Sequence, residues 1–176
     1  MNRALIASVF ATGVIGLAAC TPAEPEQPAP AAPATAITPT TAADIPDAVR
    51  AAVLAARPGM TIAEAELKER EGRRYYDVEG VLDGAEIELD LLETPQGWQV
   101  VEIQRDLAWT AVPAAVRAAA ETARAGFVPV RIIESVQAED GAVIYELFAE
   151  GQPAVPALEV RSHAGRVEVL KEVWPH

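Results

Sequence analysis

The chain has 176 residues, with 26 acidic against 14 basic side chains, a formal net charge of −12 and 51% hydrophobic residues. That balance excludes the basic patch on which nucleic-acid binding depends. One cysteine and two histidines supply neither a disulfide framework nor the ligand spacing of a zinc site.

At the start of the chain, Asn2 and Arg3 precede an uncharged apolar run from Ala4 to Ala19. This is the layout of a signal peptide, and it falls short of the roughly 20 apolar residues that span a bilayer. The run closes on Leu17-Ala18-Ala19-Cys20, which resembles the lipobox of bacterial lipoproteins. The resemblance implies a signal peptide over residues 1–19, cleavage before Cys20 and lipidation of its thiol. An ordinary secretory signal that happens to precede a cysteine is the alternative. Cys20 is the only cysteine, so an exported thiol here has no intramolecular partner. Two or more acyl chains on it would anchor the protein without a membrane-spanning helix.

Residues 20–43 read as the lipidated cysteine and a tether. Thr21 to Ala43 is mostly Pro, Ala, Thr and Glu, with Ile37 its one large aliphatic residue, a composition that cannot bury a core. Its prolines favour extended conformations of about 3.1 Å per residue. Thr21, rather than Asp, follows the cysteine, and the sorting rule that comes with the lipobox resemblance then implies the periplasmic face of the outer membrane.

The remainder reads as one unit written twice. Ile45-Pro46-Asp47-Ala48-Val49-Arg50 returns as Val112-Pro113-Ala114-Ala115-Val116-Arg117, and Gly59-Met60 returns as Gly126-Phe127. The far ends match too, Val101-Glu102-Ile103 with Trp109 against Val167-Glu168-Val169 with Trp174. In each copy a proline at the first helical position and an alanine-rich stretch predict a helix, which Pro58-Gly59 or Gly126 then stops. Strands follow over Ala63 to Arg70, Arg74 to Leu82, Ala85 to Leu92 and Trp98 to Arg105. In the second copy they are expected over Val130 to Gln137, Ala142 to Ala149, Ala157 to Arg161 and Arg166 to Leu170, the third kept short by Pro153 and Pro156. The expectation is an α+β fold of two tandem modules, residues 44–108 and 109–176. Each would be one helix packed on its own small antiparallel sheet of about four strands. Trp109 and Trp174 read as packing residues.

The unit Ile-Pro-x-Ala-Val, then Pro-Gly, then Tyr75-Tyr76-Asp77-Val78-Glu79 and Asp83-Gly84-x-Glu86-Ile87-Glu88-Leu89-Asp90 resembles PepSY-like domains, and the tandem copies resemble the beta-lactamase-inhibitor-protein fold. The resemblance implies an envelope module that binds other proteins, in some members inhibiting a peptidase or another enzyme through its sheet face and loops. Its motifs are framework residues without chemical specificity. The second copy departs from the first: Ala125-Gly126 stands in place of Pro58-Gly59, and the acidic hairpin is missing.

Charge separates the copies further. Ile45 to Asp106 holds fourteen acidic against seven basic residues, and Leu107 to His176 nine against six. With Asp83-Gly84 as a two-residue hairpin turn, Val78 faces Leu89, Glu79 faces Glu88 and Asp77 faces Asp90, so one side is apolar and the other rich in carboxylates. A turn at Glu71-Gly72 adds Glu64 and Glu66, and the same alternation brings in Tyr75, Glu86, Trp98 and Glu102. The expected partner-binding face is therefore Glu64, Glu66, Tyr75, Asp77, Glu79, Glu86, Glu88, Asp90 and Trp98. Such a stripe suits a basic protein surface. It also suits a hard cation such as calcium, although carboxylates alternating along strands follow no compact loop motif; the expectation is no bound metal and no cofactor. A merely solvated sheet face is the bland alternative.

No catalytic residue is expected. Ser162 and His163 are adjacent in a hairpin, so their side chains tend to diverge, and no third partner for nucleophilic catalysis is evident. His176 ends the chain, where fraying is the rule. The reading is a membrane-anchored envelope lipoprotein that binds an envelope protein and is not an enzyme. A structural or assembly lipoprotein is the alternative.

Overall fold

The computed structural model describes residues 35–174. The signal peptide, Cys20, the first part of the tether and His176 lie outside the described residues. Strands β1 (Ala36–Thr41), β2 (Thr61–Arg70), β3 (Arg73–Leu82), β4 (Ala85–Thr94), β5 (Gly97–Asp106), β6 (Arg131–Gln137), β7 (Val143–Phe148), β8 (Leu158–His163) and β9 (Arg166–Val169) follow one another in space as in sequence. All neighbours pair antiparallel. Helix α1 (Asp47–Ala56) precedes β2, and α2 (Ala114–Ala123) precedes β6 after a short 3-10 turn at Trp109–Ala111.

This corrects the expected fold of two modules with a sheet each. The sheet is one, because β5 and β6 pair from Glu102 opposite Gln137 to Asp106 opposite Ile133, across the expected module boundary. A separate sheet in each half would leave β5 and β6 as edges with unpaired N–H and C=O groups. Pairing them with each other removes both edges.

The tether is also shorter than expected, since Ala36–Thr41 forms the edge strand β1 on β2. Ile and Thr suit a strand, and Pro39 is tolerated because an edge strand need not donate on both sides. The strand buries little: Ile37 remains 54% exposed. Each helix starts one residue later than expected, with Pro46 and Pro113 as the flanking caps.

Hairpin turns set the register of the first half. Glu71-Gly72 and Asp83-Gly84 both adopt positive φ, 55° and 75°, then 53° and 82°, the backbone that joins twisted strands through two residues. Across the second turn Val78 stands opposite Leu89, Glu79 opposite Glu88 and Asp77 opposite Asp90, as the turn predicts.

The helices cover one face. Val49 and Val53, one turn apart on α1, are fully buried and join Tyr76, Val78, Leu89 and Leu91 in one core cluster. Val116 and Ala120 of α2 do the same with Ile132, Tyr145, Leu147 and Val160. Leu89, Ile103, Val136 and Val143 oppose one another in turn across β4 to β7, so both clusters lie on the same side of the sheet. The other side carries no helix among the described residues.

One local irregularity redirects side chains. The pairing of β4 with β5 passes from Asp90 opposite Glu102 to Leu91 opposite Val100, leaving Val101 as an extra residue. A bulge of this kind breaks the period of two. Glu102 therefore stays on the open face, while Trp98 turns to the helix side and meets Tyr76 edge-on, ring centroids 5.1 Å apart.

Candidate functional site

The open face is a ladder of polar side chains in register. One row runs Glu64, Glu79, Glu88 and Gln104 across β2 to β5, and the next runs Glu66, Asp77, Asp90, Glu102 and Gln137 across β2 to β6. Glu86 faces Val81 beyond the first row, and Tyr75 faces Lys68 beyond the second. Eight of the nine residues expected on this face are thus brought together. Trp98 is the exception, because the extra residue at Val101 moves it to the core side.

Several of these polar groups are buried although no helix of the described residues covers them. Asp77 is 7% exposed, Asp90 8% and Glu102 4%. A cavity of about 400 Å³ explains part of this, since its lining includes Ile37 of β1, Lys68 of β2, Asp90 of β4 and Glu146 of β7. Strands so far apart in the sheet order line one space only if the sheet curls, which makes the open face concave.

Like charges set directly opposite one another are destabilising, and the ionisation of the groups reflects it. Burial, then the charges of Asp77 and Glu79, push the Glu88 carboxyl up to about 7. Burial, then Asp77, Glu102 and Glu88, push that of Asp90 up to about 9. The exposed Glu79 is also raised, by desolvation and by Glu64 and Glu66. One lysine enters the cluster: the Lys68 ammonium pairs with the Asp77 carboxylate. Burial acts to lower the Lys68 pKa, but the hydrogen bond and charge of Asp77, with Asp90 and Glu88, outweigh it and hold it above the ordinary lysine value.

The second half of the chain supplies the frame. The Ser135 hydroxyl donates to Glu102, and Gln137 Nε2 donates to Glu102 Oε1 at 3.0 Å and to Ser135 Oγ at 2.8 Å. Arg131 donates to both oxygens of Asp106 at 3.0–3.1 Å. Lys68, Gln104, Ser135, Gln137 and Glu146 were not foreseen as part of this face. For Lys68 the signal was available, since it shares the parity of Glu64 and Glu66 on β2. For Ser135, Gln137 and Glu146 it was not, because only the pairing of β5 with β6 extends the face into them.

Among the described residues, Asp77, Glu88 and Asp90 each place a carboxylate oxygen within 4.8 Å of the others. No comparable arrangement surrounds Ser162 and His163. They are neighbours on β8 with Ser162 opposite Val143 and Val167, and His163 Nε2 lies 3.1 Å from the Asp140 carbonyl. No described helix is long and apolar enough to cross a membrane. Comparison of the chain with family models, curated proteins and solved structures finds no match in any of the three.

Proposed function

We propose that the protein is a lipid-anchored envelope module whose concave, acidic sheet face binds a basic surface of another protein. One observation carries the reading: Glu64, Glu66, Asp77, Glu79, Glu86, Glu88 and Asp90 share one face on three adjacent strands that no helix of the described residues covers. Among the described residues, Glu64, Glu66, Glu79 and Glu86 have no lysine or arginine within ion-pair distance. A basic partner would relieve repulsion that the fold itself leaves in place, and Tyr75, half-buried beside the carboxylates, offers an aromatic anchor of the kind interfaces favour. The resemblance of the repeat to PepSY-like domains supports the same role, and that of Cys20 to a lipobox supports the anchor.

The test is affinity capture from an envelope extract with wild type and with Glu79→Lys plus Glu86→Lys. Both positions are exposed, so reversal there leaves the core untouched. Captured protein should be lost from the variant, and from wild type as salt rises, because exposed charges are screened within about 8 Å at physiological ionic strength. A partner held equally by both proteins refutes the site.

A further inference from the structure

We propose that Asp77, Glu88 and Asp90 form a binding site for a hard divalent cation, calcium in preference to magnesium. The inference goes beyond partner binding, because the isolated chain would hold the ion.

Three observations carry it. The three carboxylate oxygens lie within 4.8 Å of one another, and an ion that sits 2.3–2.6 Å from each ligand bridges oxygens up to about 5 Å apart. Magnesium demands near-ideal octahedral geometry at about 2.0–2.1 Å and gives up its waters reluctantly, which favours calcium at a site of strand-borne carboxylates. The second observation is Asp90 itself. It is 8% exposed, it belongs to the lining of the cavity that Asp77 and Glu88 also line, and its buried Oδ1 has no hydrogen-bond donor. A buried acceptor without a donor bears its full desolvation cost, and a cation is the partner that removes this cost for a carboxylate. The third is the local charge. Lys68 and Arg70 line the same cavity as the three carboxylates, and Lys68 pairs with Asp77, so the fold already draws cationic side chains to this spot.

The donor set selects the ion class. All three ligands are carboxylates and no histidine or cysteine belongs to the cluster, which suits calcium and magnesium and not the softer zinc or copper. Gln104 lines the same cavity and offers an amide oxygen as a further ligand. Lys68 is the internal competitor. Its side chain is about one-third exposed, a flexible stem that can swing toward solvent as the ion enters. The fold thus already places a cation at this spot. Three carboxylates without a preformed loop predict a dissociation constant in the range of about 10⁻⁴–10⁻³ M, that of extracellular calcium modules.

The experiment is calorimetric titration of calcium chloride, and separately magnesium chloride, into the full chain in detergent at low ionic strength. Wild type should bind calcium with one site per chain and magnesium more weakly. Asp90→Asn should weaken calcium at least tenfold, and Lys68→Met, which removes the competitor, should tighten it severalfold. Lys68→Met keeps the test decisive even where Asp90→Asn fails to fold. The proposal is overturned if wild type takes up no calcium below about 10 mM, if Lys68→Met leaves the affinity unchanged or lower, or if magnesium binds as tightly as calcium. Glu86 faces Val81 and not a ligand, so loss of partner capture on reversal at Glu86 alone and loss of ion binding in Asp90→Asn are separate results.

Discussion

Asp90→Asn in metal-free buffer isolates the cost of crowding carboxylates on one face. In the unfolded chain Asp90 ionises near the ordinary aspartate value of 3.8, and in the folded chain its carboxyl is held up to about 9. Between those limits the folded state binds one proton more than the unfolded state. The stability this contributes is complete below about pH 4 and is lost as pH rises through about 9. The slope is about 1.4 kcal/mol per pH unit for each such proton, so Asp90 alone should make the wild type about 2–3 kcal/mol less stable at pH 8 than at pH 6. Asparagine keeps the shape of the neutral acid without its titration. Any constant effect of replacing a hydroxyl by an amide cancels when the two pH values are subtracted. Urea denaturation followed by tryptophan fluorescence at pH 6 and pH 8 reads the difference directly. The variant should lose about 2–3 kcal/mol less than wild type over this interval. Parallel losses in the two proteins would show that Asp90 is ionised in the folded state and that the buried repulsion is absent.

Gly80→Ala should destabilise the fold by at least about 2 kcal/mol in the same denaturation assay, since a Cβ there would collide with the Thr61 carbonyl oxygen and lie 2.7 Å from Met60 Cε, and backbone cannot yield as a side chain can. Trp98→Ala should cost about 1–3 kcal/mol, below the range for a fully buried tryptophan, because the ring is half-buried against Tyr76. It should leave partner capture by the opposite face intact. Cys20→Ser should release the protein from membranes in cell fractionation or leave an uncut precursor, and the mature wild type should carry acyl groups on its first residue by mass spectrometry; a free thiol at Cys20 would refute the anchor.

The acidic face is legible in the amino-acid sequence because each of its determinants is local. A two-residue turn with two positive φ angles fixes which residues stand opposite, and strict alternation then assigns Asp77, Glu79, Glu88 and Asp90 to one side. The same logic fails at Trp98 for a definable reason. Alternation holds only while each residue has one partner, and the extra residue at Val101 exists only relative to β4. Nothing in Trp98 to Arg105 taken alone marks it.

The sequence by itself determined the order of helices and strands after β1, the turns, the β2 to β4 register and the acidic stripe, all of which follow from contacts between near neighbours in the chain. Tertiary structure decided that β5 and β6 pair, so that two copies of a unit share one sheet. It also decided that Glu146 of β7 lines the same cavity as Lys68 of β2, and that Ser135 and Gln137 hold Glu102. The physical reason is the range of the forces concerned. Alternation and turn conformation act over a few residues, whereas removing exposed strand edges and curling a nine-stranded sheet depend on hydrogen bonds and burial between segments that no short stretch of sequence contains together.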